Sequence, residues 1–294
     1  MKILVAGAGG LVGRAVVTHC REQSCQVVAL DHRALDISDK QKILEVFDRE
    51  RPEAVVNCAA WTDVDGCEID PDHAHNANAR GPELLALACR TLTALLITIS
   101  TDYVFDGEKG RFYDQRDQPN PQSIYAQTKL EGERRAQQLW ARTIVIRSGY
   151  IFGESGKNFL STFLERARRG ERVRAIRDCV GTPTYAIDLA RQIYKLITID
   201  LPGIYHVVNS GGGASFESFA RLAFSRAGID QSLIESIGTD DLRRPAPRPR
   251  DSRLRCLLSP LVGLQPLPPL EDAVTRFVAR TSQVQPSDVA MRAL

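Results

Sequence analysis

Short apolar runs alternate along this chain with longer stretches whose apolar positions recur at a helical period. The runs fall at residues 3–6, 27–30, 54–57, 95–99 and 143–146. They are continuously apolar, as expected of strands buried on both faces. Helical patterns lie between them at residues 11–21, 40–49, 72–90 and 124–139. This βαβαβ order predicts an α/β fold, a Rossmann-type doubly wound parallel sheet with right-handed crossovers.

The rhythm loosens after about Arg147. Helices are expected at 158–169 with Asn158 as cap, at 185–197, at 215–227 begun by Ser215, and at 270–279. Strands are expected at 172–176 and 204–208. A Pro/Arg-rich stretch, 242–254, cannot form regular structure. The tail from Thr281 is expected to fray. These patterns divide the chain into an NAD(P)-binding Rossmann domain, 1–150, and a mainly substrate-binding region, 151–294, part of which returns to the sheet.

The first strand runs directly into Gly7-Ala8-Gly9-Gly10-Leu11-Val12-Gly13, with glycines at GxxGxxG spacing ahead of a helix. Gly7 permits the tight turn. Gly10 lets the backbone approach a pyrophosphate, and Gly13 lets helix and strand pack closely. The helix N-terminus then offers its free N–H groups to the phosphates. The second strand ends at Leu30-Asp31. An acid there can accept from ribose hydroxyls, which favours NAD, whereas Arg33 can hold a 2′-phosphate. The cofactor is therefore NADPH or NADH. Asp36 and Ile37 sit where they can flank adenine; a turn or cap role for Asp36 fits equally well.

Tyr125-Ala126-Gln127-Thr128-Lys129 is a YxxxK motif at the start of a helix, which puts both side chains on one face. A lysine ammonium one turn away is expected to lower the tyrosine's pKa and let the pair move a proton. The fourth strand ends Ile99-Ser100-Thr101-Asp102, at the carboxyl edge where the crevice of such a sheet lies. Thr101 can polarise a reacting carbonyl, and Asp102 can hold a substrate hydroxyl.

Composition adds mainly exclusions. The 294 residues carry a formal net charge of +2, too small to argue for a nucleic-acid or membrane-surface partner. Seven cysteines show neither CxxC nor zinc spacing, which fits reduced thiols. No stretch approaches the roughly 20 apolar residues of a membrane span. The N-terminus lacks a signal peptide's length and cleavage site. A cytoplasmic location is expected. Six arginines between Arg243 and Arg255 could clamp a diphosphate, but a solvated loop accounts for most of them.

Together, the glycine turn, the STDYVF strand end and YxxxK resemble the extended short-chain dehydrogenase/reductases. Within them the chain is most similar to the dTDP-4-dehydrorhamnose reductase family. Asn57 to Asp65 with Glu68 is similar to that family's NAAxTxVDxxE segment, and residues 78–85 to its NaxGpxxLa helix. Residues 181–184 resemble its GxPT turn, and residues 248–254 its RPxxSxL segment. The resemblance implies reduction of a 4-keto nucleotide sugar, most closely dTDP-4-dehydro-L-rhamnose. It implies that Gly10, Leu11 and Val12 touch the pyrophosphate, that Asp31, Asp36 and Ile37 surround the adenosine, and that Ala59, Ala60 and Trp61 line the nicotinamide-side ribose. Tyr125 would donate the proton, Lys129 would hold the ribose, and Thr101 and Asp102 would contact the sugar. Tyr150 stands where members often have tryptophan, a departure that bears on the sugar. Some members use Mg2+ at a dimer contact, so monomer or homodimer is expected and Mg2+ has no assigned ligands. Two rival readings share the pattern: a nucleotide-sugar epimerase, and a non-catalytic NADP-binding regulatory subunit like that of methionine adenosyltransferase.

Overall fold

The structure is a computed structural model that describes residues 1–154, 156 and 158–283. Five strands and the helices between them follow the predicted order: β1 (Lys2–Ala6), α1 (Leu11–Glu22), β2 (Gln26–Leu30), α2 (Lys40–Glu50), β3 (Ala54–Asn57), α3 (Val64–Ile69), α4 (Pro71–His75), α5 (Gly81–Leu92), β4 (Leu95–Thr101), α6 (Ile124–Leu139) and β5 (Thr143–Phe152). The second half adds α7 (Phe159–Arg168), β6 (Val173–Ile176), β7 (Val180–Gly181), β8 (Pro183–Tyr185), α8 (Ala186–Ile199), β9 (Gly203–His206) and α9 (Phe216–Ala227).

The main sheet has seven strands in the order β2-β1-β3-β4-β5, with β9 and then β8 along the far edge of β5. Every pairing in it is parallel. The second half thus returns two strands to the sheet. Alternate strand residues enter opposite layers. Ile3, Val5, Val56 and Ile97 pack with Val16 and Val17 of α1 and Leu189 and Ile193 of α8. Leu4, Val55 and Leu96 pack with Ile43 and Phe47 of α2 and Leu85 of α5. Helices on both faces are why the strand sequences do not alternate.

A smaller core joins Leu160 and Leu164 of α7, Phe219 and Phe224 of α9, and Val274 and Phe277 of a last helix, Leu270–Gln283. Val173–Ile176 pairs there with Ile234–Ile237. The expected fraying starts too early, because residues 281–283 continue this helix. The rest of the tail lies outside the described residues.

The pattern at 72–90 predicts a single α-helix, but a π-helical turn, Asn76–Arg80, separates α4 from α5. Pro82 has no N–H for the Asn78 carbonyl four residues back, so the helix widens there. That carbonyl instead faces α6, where a Cβ on Gly132 would lie 2.1 Å from it. The two helices are held close at a glycine.

Candidate active site

The glycine turn is built as the motif requires. Gly7 has φ +73°, and a Cβ on it would meet Ala59 N at 2.6 Å. A Cβ on Gly13 would lie 2.2 Å from the Gly7 carbonyl. Gly10 is different, since its Cβ would meet only that carbonyl at 3.4 Å, ordinary contact. Helix α1 starts without a side-chain cap and without an acid in its first turn. Its first N–H groups are left for an anion, so the site fits a dinucleotide pyrophosphate.

A cleft of about 520 Å³ opens from this turn along the carboxyl ends of the strands. It brings together Gly10, Leu11, Val12, Ala60, Thr101, Asp102, Tyr125, Lys129 and Tyr150. Of the other expected residues, Ala59 sits against Gly7, and Trp61 has its ring edge-on to His73 at 4.4 Å. Asp31 is exposed at the end of β2 and accepts from Ala34 N–H. Asp36 accepts from the N–H and the hydroxyl of Ser38, a local turn, while Asp39 caps α2. Ile37 is a core residue whose side chain packs on Gly81.

Thr101 Oγ1 donates to Asp102 Oδ1 at 3.2 Å and accepts from Tyr103 N–H. Asp102 is 2 % exposed, and Ser252 Oγ donates to its other oxygen at 2.5 Å. Burial raises Asp102 to about 6, with the bonds from Ser252 and Thr101 opposing. Its carboxyl is thus already committed to protein partners.

Ser123 caps α6 by accepting from Ala126 N–H, and Glu68 accepts from Ile124 N–H at 2.8 Å. Tyr125 and Lys129 emerge from the helix so anchored. Lys129 Nζ donates to the Ile99 carbonyl at 2.6 Å. Burial lowers the ammonium to about 8, against the raising influence of Glu133 and Cys58. The expected lowering of Tyr125 by Lys129 is not realised. Burial instead pushes the phenol above its ordinary value, with the Thr101 hydroxyl opposing. Tyr125 is therefore protonated at neutral pH, the state a proton donor needs.

Tyr150 has φ +47°, unusual for a bulky residue, at an irregularity where the β5–β8 register shifts. The bulge aims its ring into the cleft, stacked on Phe216 at 4.2 Å and 15°. No local pattern announces this conformation.

A family model described as the RmlD substrate binding domain matches residues 1–283. The chain belongs to that family. It is 35% identical over 288 residues, 96% of this chain and 87% of the relative, to "dTDP-4-dehydrorhamnose reductase" of Mycolicibacterium smegmatis. It is 34% identical over 248 residues, 84% of this chain and 86% of the relative, to "dTDP-4-keto-6-deoxy-D-glucose reductase" of Streptomyces niveus. Among solved structures, the Bacillus anthracis dTDP-4-dehydrorhamnose reductase in complex with NADP superposes with TM-score 0.92 at 31% identity, covering 95% of this chain and 99% of that one.

In this member of the RmlD family, much of the motif set holds the site rather than lining it. Asn78 accepts from Trp61 N–H and donates to Trp61 O, fixing the loop after β3. Arg248 forks onto Asp65 at 2.9 and 2.8 Å, strapping the late segment to α3. Arg253 pairs with Asp251, Arg255 with Asp114, and Arg250 approaches Asp240 at 3.6 Å. Four of the six arginines, Arg243, Arg244, Arg250 and Arg255, are exposed as the solvated loop expects, while Arg248 and Arg253 are partly buried in their ion pairs. Phe216, Phe159, Asn158, Val64 and Ser148 also line the cleft, and sequence reasoning missed them. Among the described residues no group of three or more His, Cys, Asp or Glu side chains could hold a metal ion. No helix among them is long and apolar enough to cross a membrane.

Proposed function

We propose that the chain is an NADPH-dependent reductase of a 4-keto nucleotide sugar, with dTDP-4-dehydro-L-rhamnose as its substrate and dTDP-L-rhamnose as the product. The observation that carries this reading is the convergence of Thr101, Tyr125 and Lys129 with Gly10, Leu11 and Val12 in one cleft. The relatives' names and the NADP-bound neighbour support it.

A bound nicotinamide supplies the hydride for the sugar C4. The N-terminus of α1 holds the pyrophosphate, and exposed Arg33 beside Asp31 holds the 2′-phosphate. Tyr125 gives its proton to the carbonyl oxygen as charge develops there. Thr101 turns its hydroxyl from Asp102 to the same oxygen, where a fixed donor is worth most in the transition state. Lys129 keeps one N–H on the Ile99 carbonyl and directs the others to the ribose. The Tyr150–Phe216 stack packs the sugar, and binding of the distant nucleotide adds positioning energy.

The test is a panel of 4-keto sugar nucleotides with NADPH and with NADH. Stoichiometric consumption of NADPH with dTDP-4-dehydro-L-rhamnose, giving the 4-hydroxy sugar, supports the reading. Epimerised product without net consumption, or no turnover of any 4-keto sugar, overturns it.

A further inference from the structure

Helix α6 carries a buried carboxylate in line with the pair described above. Tyr125, Lys129 and Glu133 follow one another at four-residue steps, a stripe that drifts only about 40° per step around the helix. Glu133 is 2 % exposed, and its carboxylate is gripped by the Arg147 guanidinium of β5. Arg147 Nε donates to Oε1 at 3.0 Å and to Oε2 at 3.2 Å, and Nη2 donates to Oε2 at 2.6 Å. The Phe105 ring lies 5.3 Å from the guanidinium. Neither residue lines the cleft, and the reaction described above uses neither.

A buried ion pair is a poor stabilising device, because desolvation of two charges cancels most of their attraction. Its placement suggests another role. The groups acting on Lys129 are Glu133 on its own helix, the Ile99 carbonyl on β4, and Cys58 after β3. Burial pushes the Cys58 thiol up to about 12, so it is neutral at working pH. Glu133 is then the negative charge that supports the buried ammonium, while the Arg147 hydrogen bonds hold its carboxylate in place. On the far side of Arg147, His206 of β9 is buried and held neutral, so it does not compete for Glu133.

We propose that Glu133, locked to Arg147, is a positioning residue that keeps Lys129 charged and directed to the cofactor ribose. The idea rests on the role given to Lys129 above. Removing the carboxylate while keeping its shape, Glu133→Gln, leaves Lys129 buried without its anion. Lys129 then gives up its proton at a lower pH, and the alkaline limb of kcat/KM moves to lower pH with it.

The experiment follows Lys129 directly by NMR of protein labelled with 13C at lysine Cε, its signal assigned by its loss in Lys129→Arg. Glu133→Gln is expected to lower the Lys129 titration midpoint by about one pH unit or more and to weaken NADPH binding, measured without sugar, near pH 8. Arg147 is left unpaired in that variant, so Glu133→Gln/Arg147→Met is measured beside it. The double variant is expected to recover thermal stability while its Lys129 midpoint stays low. A folded double variant with the wild-type midpoint and wild-type NADPH affinity overturns the proposal and leaves the ion pair a packing feature. Failure of the wild-type chain to reduce any 4-keto sugar would instead overturn the reductase reading, and the Lys129 midpoint still decides the role of Glu133.

Discussion

Ser252 Oγ donates to Asp102 Oδ2 across 150 residues of chain, joining the late Pro/Arg-rich segment to the end of the fourth strand. The other Asp102 oxygen accepts from Thr101, so Ser252 indirectly sets where the Thr101 hydroxyl points. A Cβ on Gly149 would strike this carboxyl at 2.5 Å, so the group has no room to swing away. Ser252→Ala removes one donor from a buried carboxylate, at a cost of about 1–3 kcal/mol. The expected outcome is a lower melting temperature and a loss of about tenfold or more in kcat/KM for the keto sugar, with NADPH affinity unchanged. Calorimetry and steady-state kinetics check it, and unchanged kinetics would remove Ser252 from the account.

The glycine turn separates folding from cofactor binding. Gly13→Ala drives a methyl into the Gly7 carbonyl at 2.2 Å and is expected to cost about 1–3 kcal/mol of stability as well as NADPH binding. Gly10→Ala meets nothing closer than 3.4 Å in the protein itself. Its stability is expected to stay within about 0.5 kcal/mol of wild type while NADPH affinity falls severalfold. Denaturant titration and NADPH fluorescence read the two effects. A Gly10→Ala protein with full NADPH affinity contradicts the placing of the pyrophosphate.

Two buried groups give stability opposite dependences on pH. Burial lifts Asp102 from 3.8 to about 6. Between those values the folded chain holds a proton that the unfolded chain has released, so acidification stabilises the fold through Asp102. Burial, with the Arg147 charge beside it, depresses His206 from 6.5 to about 3. In that interval the unfolded chain binds the proton, so acidification destabilises through His206. Each slope is worth up to about 1.4 kcal/mol per pH unit, and between about pH 4 and 6 they oppose each other. Asp102→Asn removes only the first. Urea titrations between about pH 4 and 6.5 are expected to show a steeper loss of stability on acidification in this variant than in wild type. Parallel curves would contradict the burial assigned to Asp102.

The sequence shows most clearly what is local or periodic. Continuous apolar runs mark β1 to β5 because helices cover both sheet faces, and α6 spans the expected residues because Ser123 caps it. The glycine turn and YxxxK are equally plain, each being contained within a few residues. Long-range pairings leave no such trace. The family segments single out Asp65, Glu68, Arg248 and Ser252, but nothing in them says that Asp65 meets Arg248, Glu68 meets Ile124 or Ser252 meets Asp102. The sequence marks Tyr150 as a residue type, but its left-handed backbone goes with the register shift beside β8. The π-turn leaves no sequence signal because its cause, Pro82, also suits the first turn of a helix.

The central claim is that Tyr125 delivers a proton to a keto oxygen in the cleft beside a bound NADPH. Tyr125→Phe keeps the ring, including its edge contact with Tyr103 at 6.2 Å, and removes only the hydroxyl. The direct measurement is kcat for NADPH-dependent reduction of dTDP-4-dehydro-L-rhamnose, with NADPH binding measured in parallel. The account predicts a fall in kcat of about 10²–10⁴-fold with NADPH affinity within about threefold of wild type. A variant that reduces the sugar at the wild-type rate contradicts it.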